Sequence, residues 1–240
     1  MIRVERRGAV AVITLDRQER RNAIDQGACR ALVDAVDETE DARVLVLTGA
    51  GGHFCAGADL TNVEDTAFVE ALRAALTALR DVPKPVIAAV HGAALGAGTQ
   101  LAIACDLRVA GADARFGIPA AKLGLMVDQW TVQRLALLAG HGPARAMLLA
   151  AEELDGASAA GLGLVQRLGS VADALAWADE IAVLAPLTIA GHKLMLNRCE
   201  RDVHNDPEVA DAFARAWRSA DLAEGMAAFR ERRAPRFSGD

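Results

Sequence analysis

Apolar positions along the chain switch between two spacings, and the switches divide it into elements. After a charged start, Val10, Val12, Ile13 and Leu15 supply apolar, mostly β-branched bulk, and Gly8 offers a turn, so residues 1–7 and 9–15 are predicted to pair as a hairpin. A charged loop, DRQERRN, follows at 16–22. Ile24, Cys29, Leu32, Val33 and Val36 then fall near helical spacing and predict a helix over 23–37, closed by the acidic turn ETED. The continuous apolar run RVLVLT at 43–48 reads as a strand buried on both faces, as in a parallel sheet. A second helical pattern covers 66–80 and stops at PKP, residues 83–85, before the apolar strand PVIAAV. A glycine-rich turn and the start of a helix complete the stretch 85–106, and further short strands are predicted at 106–110 and 116–119.

Strand and helix thus alternate in the manner of right-handed βαβ units, whose ligand-binding loops lie at the carboxyl ends of the strands. From residue 128 onward helix follows helix, with a strand expected only at 164–168. Pro186, Pro207 and Gly225 punctuate the C-terminal third, which ends in the basic tail FRERRAPRF. The class is α/β. Residues 1–185 are expected to form the core and 186–240 an appended helical region.

Composition narrows the classes of function. A chain of 240 residues, 52% hydrophobic and 24% charged, is long enough to bury a substantial core. Its net charge of −6 argues against a general nucleic-acid binder, which needs a basic face for phosphates. Cys29, Cys55, Cys105 and Cys199 form no CxxC pair, so free thiols in a reducing compartment, and hence a cytoplasmic location, are expected. No apolar run reaches the roughly 18 residues of a membrane span. The N-terminal charges precede only a short alternating run, unlike a signal peptide. His141, His192 and His204 show no HxxxH or HExxH relation, so no metal is expected.

Candidate chemistry gathers on two loops, GAGGHFCAGADL at 49–60 and GAALGAGTQL at 92–101, each following an apolar strand. Glycine permits positive φ and close approach of backbone to a ligand, and unpartnered N–H groups at the start of a helix can hold an oxygen anion. Singly, such loops also fit tight βα turns. Together, FCAGADL, PKPVIAAVHGAALGAG and CDLRVAGADARFGIP resemble the crotonase superfamily of enoyl-CoA hydratases and isomerases, from about Val10 to Phe237.

That resemblance implies a crotonase-like fold of repeated ββα units with a C-terminal helical trimerisation region, assembled as a homotrimer or hexamer. It implies an acyl-CoA thioester as ligand, with coenzyme A present only as part of it and no separate cofactor. The thioester carbonyl would sit between the backbone N–H groups of Ala58 and Ala97, the latter in place of the usual glycine. One such donor contributes about 10²–10³ in rate where an oxyanion develops. The CoA adenine and phosphates would lie against Arg20, Arg21, Ala56 and Asp59, with a basic tail from a neighbouring subunit. Guanidinium suits phosphate through bidentate bonding, although ERR is also what a solvated charge run looks like.

Hydration needs a base for water and an acid for the α-carbon, and the family's hydratases supply a glutamate on each loop. Here those positions are Gln100, which cannot titrate, and Ala120. Each such group contributes about 10²–10⁴, so losing both costs on the order of 10⁴–10⁸. The chain looks like a subgroup of non-hydratase acyl-CoA binders that lack both glutamates and share DxW after GLxx. The alternative is a true enoyl-CoA hydratase/isomerase, either a weak hydratase or an enoyl- or dienoyl-type isomerase using Asp128 in GLMVDQWTVQRL, where dienoyl-CoA isomerases place an aspartate. Asp128 also suits a helix N-cap. Trp130 would narrow the acyl pocket or serve as core. His53 and Cys55 beside the first loop admit a thiol-nucleophile reading or a structural one, and His91 local packing.

Overall fold

The computed structural model describes residues 2–61, 66–199, 214 and 217–236. Pro207, His204 and Phe237 lie outside the described residues, as does the side chain of Cys199. Contacts divide the chain into two compact units, one of residues 1–116 with 154–200, the other of 117–153 with 201–240.

In the first unit, β1 (Ile2–Arg7) and β2 (Val10–Leu15) form the expected antiparallel hairpin about Gly8, whose φ is +61°. β2 then pairs in parallel with β3 (Val44–Gly49), β3 with β4 (Val86–Val90), β4 with β6 (Leu107–Ala110) and β6 with β9 (Arg167–Leu168). The six-stranded sheet runs β1-β2-β3-β4-β6-β9. β3 and β4 are buried at every residue, as strands covered on both faces must be. On one face α7 (Val171–Ala182) sets Ala174, Ala178 and Ala182 against Val10, Val44, Val46, Ile87, Ala89 and Val109. The four-residue spacing puts these alanines on one stripe, and their small size brings the helix close to the sheet.

Helices α1 (Gln26–Asp37) and α2 (Thr66–Asp81) pack against each other through their own apolar stripes. α1 begins later than its apolar spacing suggests, because Asp25, itself extended, caps it and Ile24 is taken by a bridge to Ala58. β5 (Ala93–Leu95) opens a second sheet of order β5-β7-β8 with β7 (Arg115–Gly117) and β8 (Glu153–Asp155). β5 and β8 are strands where the sequence reads as glycine turn and helix. The expected strand at 116–119 is instead β7, because Pro119 starts a 3-10 turn over Pro119–Leu123. The strand expected over 164–168 is confined to β9.

α3 (Ala97–Ala104) leaves β5, α6 (Gly156–Gly161) follows β8, and α8 (Pro186–Cys199) closes the unit. Lys193 of α8 is buried, its ammonium donating to Leu79 O, Lys84 O and the Asp106 carboxylate. In the second unit, α4 (Gln129–Ala139) packs on α5 (His141–Leu149). The helix Ala220–Glu231 crosses the 3-10 turn so closely that a Cβ on Gly225 would lie 2.2 Å from Leu123 O. No single helix among the described residues is long and apolar enough to cross a membrane.

Candidate functional site

Two peptide groups are aimed by their own carbonyls. Ile24 N–H donates to Gly57 O at 2.9 Å and Ile24 O accepts from Asp59 N–H at 2.7 Å, a one-residue parallel bridge. In a planar trans peptide, C=O and N–H point opposite ways. With Gly57 O turned toward Ile24, Ala58 N–H therefore faces away from it. The same logic fixes Ala97: Gly96 O accepts from Gln100 N–H at 3.1 Å, along α3, so Ala97 N–H points out of the helix start.

The two turns are held together. Cys55 bridges β5, its N–H donating to Ala93 O at 2.9 Å and its O accepting from Leu95 N–H at 3.0 Å. Gly57 (φ +124°) and Gly96 (φ +52°) occupy backbone conformations that L side chains rarely adopt. A Cβ on Gly57 would stand 3.2 Å from Leu95 O, and one on Gly98 2.1 Å from Cys55 O. Ala94 O accepts from the Thr99 hydroxyl, so β5 and α3 are tied side chain to backbone as well. The arrangement offers two converging turns, each with an outward N–H, which suits a carbonyl oxygen that gains negative charge. Gln100 is buried, 6% exposed, one turn into α3.

Around the first turn, Arg20 and Arg21 are exposed, and Arg20 and Asp59 line a small pocket of about 290 Å³ with Arg17, Asp25, Gln26, Thr61 and Phe68. Ala56 N–H is spent on Arg21 O, leaving its carbonyl and methyl for a ligand. The Thr61 hydroxyl foremost, with the Thr61 N–H and the Arg17 guanidinium, holds the Asp59 carboxyl below its ordinary value. Two residues of the charged loop carry structure that its composition conceals. Asn22 is buried at φ +58° and its amide donates to Ala50 O and His53 O while its oxygen accepts from Arg17 N–H. Arg17 reaches Asp25 and Asp59 at 3.0 and 2.9 Å. A polar residue tolerant of left-handed backbone at the end of DRQERRN is the one sequence signal for Asn22.

Ala120, Asp128 and Trp130 belong to the second unit. Asp128 is the N-cap of α4, its Oδ1 accepting from Thr131 N–H at 2.8 Å, and Trp130 is buried in the first turn. Ala120 lies in the 3-10 turn and accepts Leu125 N–H at its carbonyl. In the basic tail, Arg233 is engaged by Glu224 and Glu231.

The thiols favour the structural reading. Cys55 is fully buried and desolvation pushes its thiol from 9.0 to about 12; Cys29 is pushed likewise to about 12, by burial first and then by Cys55 and Asp25. His53 Nδ1 accepts from Ala93 N–H and His91 Nε2 meets Gly51 O, so both rings serve loop geometry. Raised thiol pKa values mean that the unfolded chain releases these protons first. The stability they contribute is whole below pH 9 and is expected to fall as pH rises from 9 toward 12. Native protein at pH 8 is expected to resist aromatic disulfide reagents at both positions, with full labelling only in denaturant.

The enoyl-CoA hydratase/isomerase profile matches residues 5–240. The chain is also 44% identical over 242 residues to the probable enoyl-CoA hydratase echA6 of Mycobacterium tuberculosis (strain CDC 1551 / Oshkosh), covering 100% of both. The chain belongs to the enoyl-CoA hydratase/isomerase family. Within the family it is 33% identical over 234 residues to the peroxisomal Delta(3,5)-Delta(2,4)-dienoyl-CoA isomerase of Arabidopsis thaliana, covering 86% of this chain and 83% of the isomerase. The crystal structure of an enoyl-CoA hydratase/isomerase from Pseudoalteromonas atlantica T6c matches with a TM-score of 0.89 at 29% identity over 99% of each chain. The crotonase-like α/β fold expected of a family member is the fold observed.

Proposed function

We propose that this chain binds fatty acyl-CoA thioesters, holding the thioester carbonyl between Ala58 N–H and Ala97 N–H, with little or no hydratase activity. The observation that carries the reading is the pair of anchored peptides whose N–H groups face outward from abutting turns. A buried, non-titrating Gln100 sits one turn away, and Ala120 stands where the second glutamate of a hydratase is expected. This is the profile of the subgroup lacking both glutamates: the ligand is retained and the proton transfers are not.

Arg20, Arg21, Ala56 and Asp59 serve the CoA nucleotide in this reading, the exposed guanidiniums taking phosphate and Ala56 its carbonyl. Trp130 narrows the acyl pocket. Residues 186–240 serve assembly as a homotrimer or hexamer; α8 exposes Leu187, Leu194, Met195 and Leu196, an apolar surface that requires cover. No metal or further cofactor is invoked, and the buried free thiols suit the cytoplasm.

The alternative is enoyl-CoA isomerase or dienoyl-type isomerase chemistry through Asp128, favoured by the identity with the Arabidopsis isomerase. In the described geometry that carboxylate caps α4. Asparagine caps about as well as aspartate but does not titrate, so Asp128→Asn separates the two roles. Calorimetry is expected to show hexanoyl-CoA binding while the enoyl absorbance of crotonyl-CoA stays unchanged. Turnover at the rate of ordinary hydratases would sink the binding-protein reading. Isomerase activity that disappears in Asp128→Asn would transfer the assignment to the alternative.

A further inference from the structure

The geometry points to Arg17 as the residue that positions the Ala58 donor, an inference that rests on the reading of Ala58 and Ala97 as a thioester-carbonyl site. The direction of Ala58 N–H depends on the peptide between Gly57 and Ala58. That peptide follows a glycine, the residue least able to resist rotation by its own sterics. Its anchor is one residue of parallel bridge, two hydrogen bonds in all, between Ile24 and residues 57 and 59. Rotation that breaks the bond from Ile24 N–H to Gly57 O turns the donor out of the site.

The Arg17 guanidinium spans this bridge. Nη1 meets Asp25 Oδ2 at 3.0 Å and Ala23 O at 3.4 Å, on the two residues flanking Ile24. Nη2 meets Asp59 Oδ2 at 2.9 Å, on the residue following Ala58. The clamp is itself fixed at both ends. Arg17 N–H donates to the buried Asn22, and Asp25 caps α1 by accepting from Ala28 N–H. The Arg17 and Asp59 side chains are 25% and 13% exposed, so the charge-assisted bonds are partly shielded from water. A planar guanidinium can hold both sides of the bridge at once, which a lysine ammonium on a flexible stem does not reproduce.

A direct phosphate contact is the competing role for an arginine on this pocket. Three carboxylates face Arg17: Asp25, Asp59 and, at 3.8 Å, Glu19. Its charge is already matched, in contrast to the exposed Arg20 and Arg21.

Two ligands that differ only at the carbonyl test the assignment: hexanoyl-CoA and its thioether S-hexyl-CoA. Wild-type protein is expected to prefer the thioester and to shift the ¹³C=O stretch of labelled hexanoyl-CoA to lower wavenumber. Arg17→Met is expected to weaken hexanoyl-CoA binding about tenfold, the scale of one hydrogen bond lost. S-hexyl-CoA affinity should hold, and the carbonyl band should return toward its position in water. Asp25→Asn, which keeps the cap on Ala28 N–H and loses the acceptor for Arg17 Nη1, should behave alike, with the double variant no worse than either single one, because both act on one bridge. Arg17→Lys should restore less than half of the band shift. Equal losses for both ligands, or an unmoved band, would overturn the positioning role. If wild-type protein itself shows neither preference nor shift, the carbonyl-site reading fails and takes this inference with it. Should Arg17→Met not fold, the near-isosteric Asp25→Asn carries the same expectation.

Discussion

Gly98→Ala is expected to destroy acyl-CoA binding and to lower stability by at least about 3 kcal/mol, the upper range for overpacking. The added Cβ would lie 2.1 Å from Cys55 O, 3.0 Å from Cys55 C and 3.1 Å from Cys55 Cβ. Backbone cannot swing aside as the end of a side chain does. Cys55 is held on both sides by its bonds to Ala93 O and Leu95 N–H, so it cannot retreat without unzipping the bridge to β5. The alternative is for the first turn of α3 to lift away, which carries Ala97 N–H with it. Gly98 has no positive φ, so the effect is contact and not backbone strain. Gly161→Ala is the matched control: at the end of α6, with nothing within 4 Å of its Cβ, it is expected to be neutral or stabilising by about 0.5–1 kcal/mol. Urea midpoints for the two variants, with calorimetry against hexanoyl-CoA, check the pair. Normal binding by Gly98→Ala would mean that the turns do not need this approach.

How far the fold was readable follows from where each residue's partners lie. β2, β3 and β4 were legible because burial on both faces requires unbroken apolar runs, and such runs are visible in one dimension. β5 was not. Its three residues, AAL, lie inside a glycine-rich loop, and they become a strand by pairing in the sheet with β7 and bridging to Cys55, which no side-chain pattern announces. The late start of α1 has the same origin: Ile24 fits the helical stripe but is taken by the bridge to residues 57–59. For the candidate site, motif resemblance pointed to Ala58 and Ala97, while periodicity said nothing of them because the chemistry is backbone. Arg17 and Asn22 were hidden in a charged loop, since their partners stand up to 42 residues away, at Asp59 and His53. Asp128 shows the limit of residue type: a cap and a proton shuttle call for the same carboxylate, and only the bond to Thr131 N–H shows the first in place.

The opposite end of α3 is expected to be as sensitive as its start, through Arg108. This side chain is fully buried in β6, where backbone carbonyls gather around its guanidinium. Nε donates to Leu164 O, Nη1 to Ala102 O and Cys105 O, and Nη2 to Asp106 O and the Gln166 side-chain oxygen. Ala102 O and Cys105 O lie at the C-terminus of α3, where helical carbonyls lack partners and a cation is favoured. The guanidinium thus closes the helix at one end while the proposed anion site lies at the other. It also ties residues 164–166 to β6, whose Arg108 N–H donates to Gln166. Arg108→Met fills the volume but strands several buried carbonyls. The loss expected is about 3–5 kcal/mol, as when one partner of a buried charged network is removed. Arg108→Lys keeps the charge with at most three donors in place of five, so it should recover part of that loss. Guanidinium does not titrate in this range, so the deficit should be the same at pH 6 and pH 10.5, unlike the alkaline loss expected from Cys29 and Cys55. Urea melts of the three proteins at both pH values separate these effects. A deficit below about 1 kcal/mol in Arg108→Met would show that water replaces the guanidinium at these carbonyls.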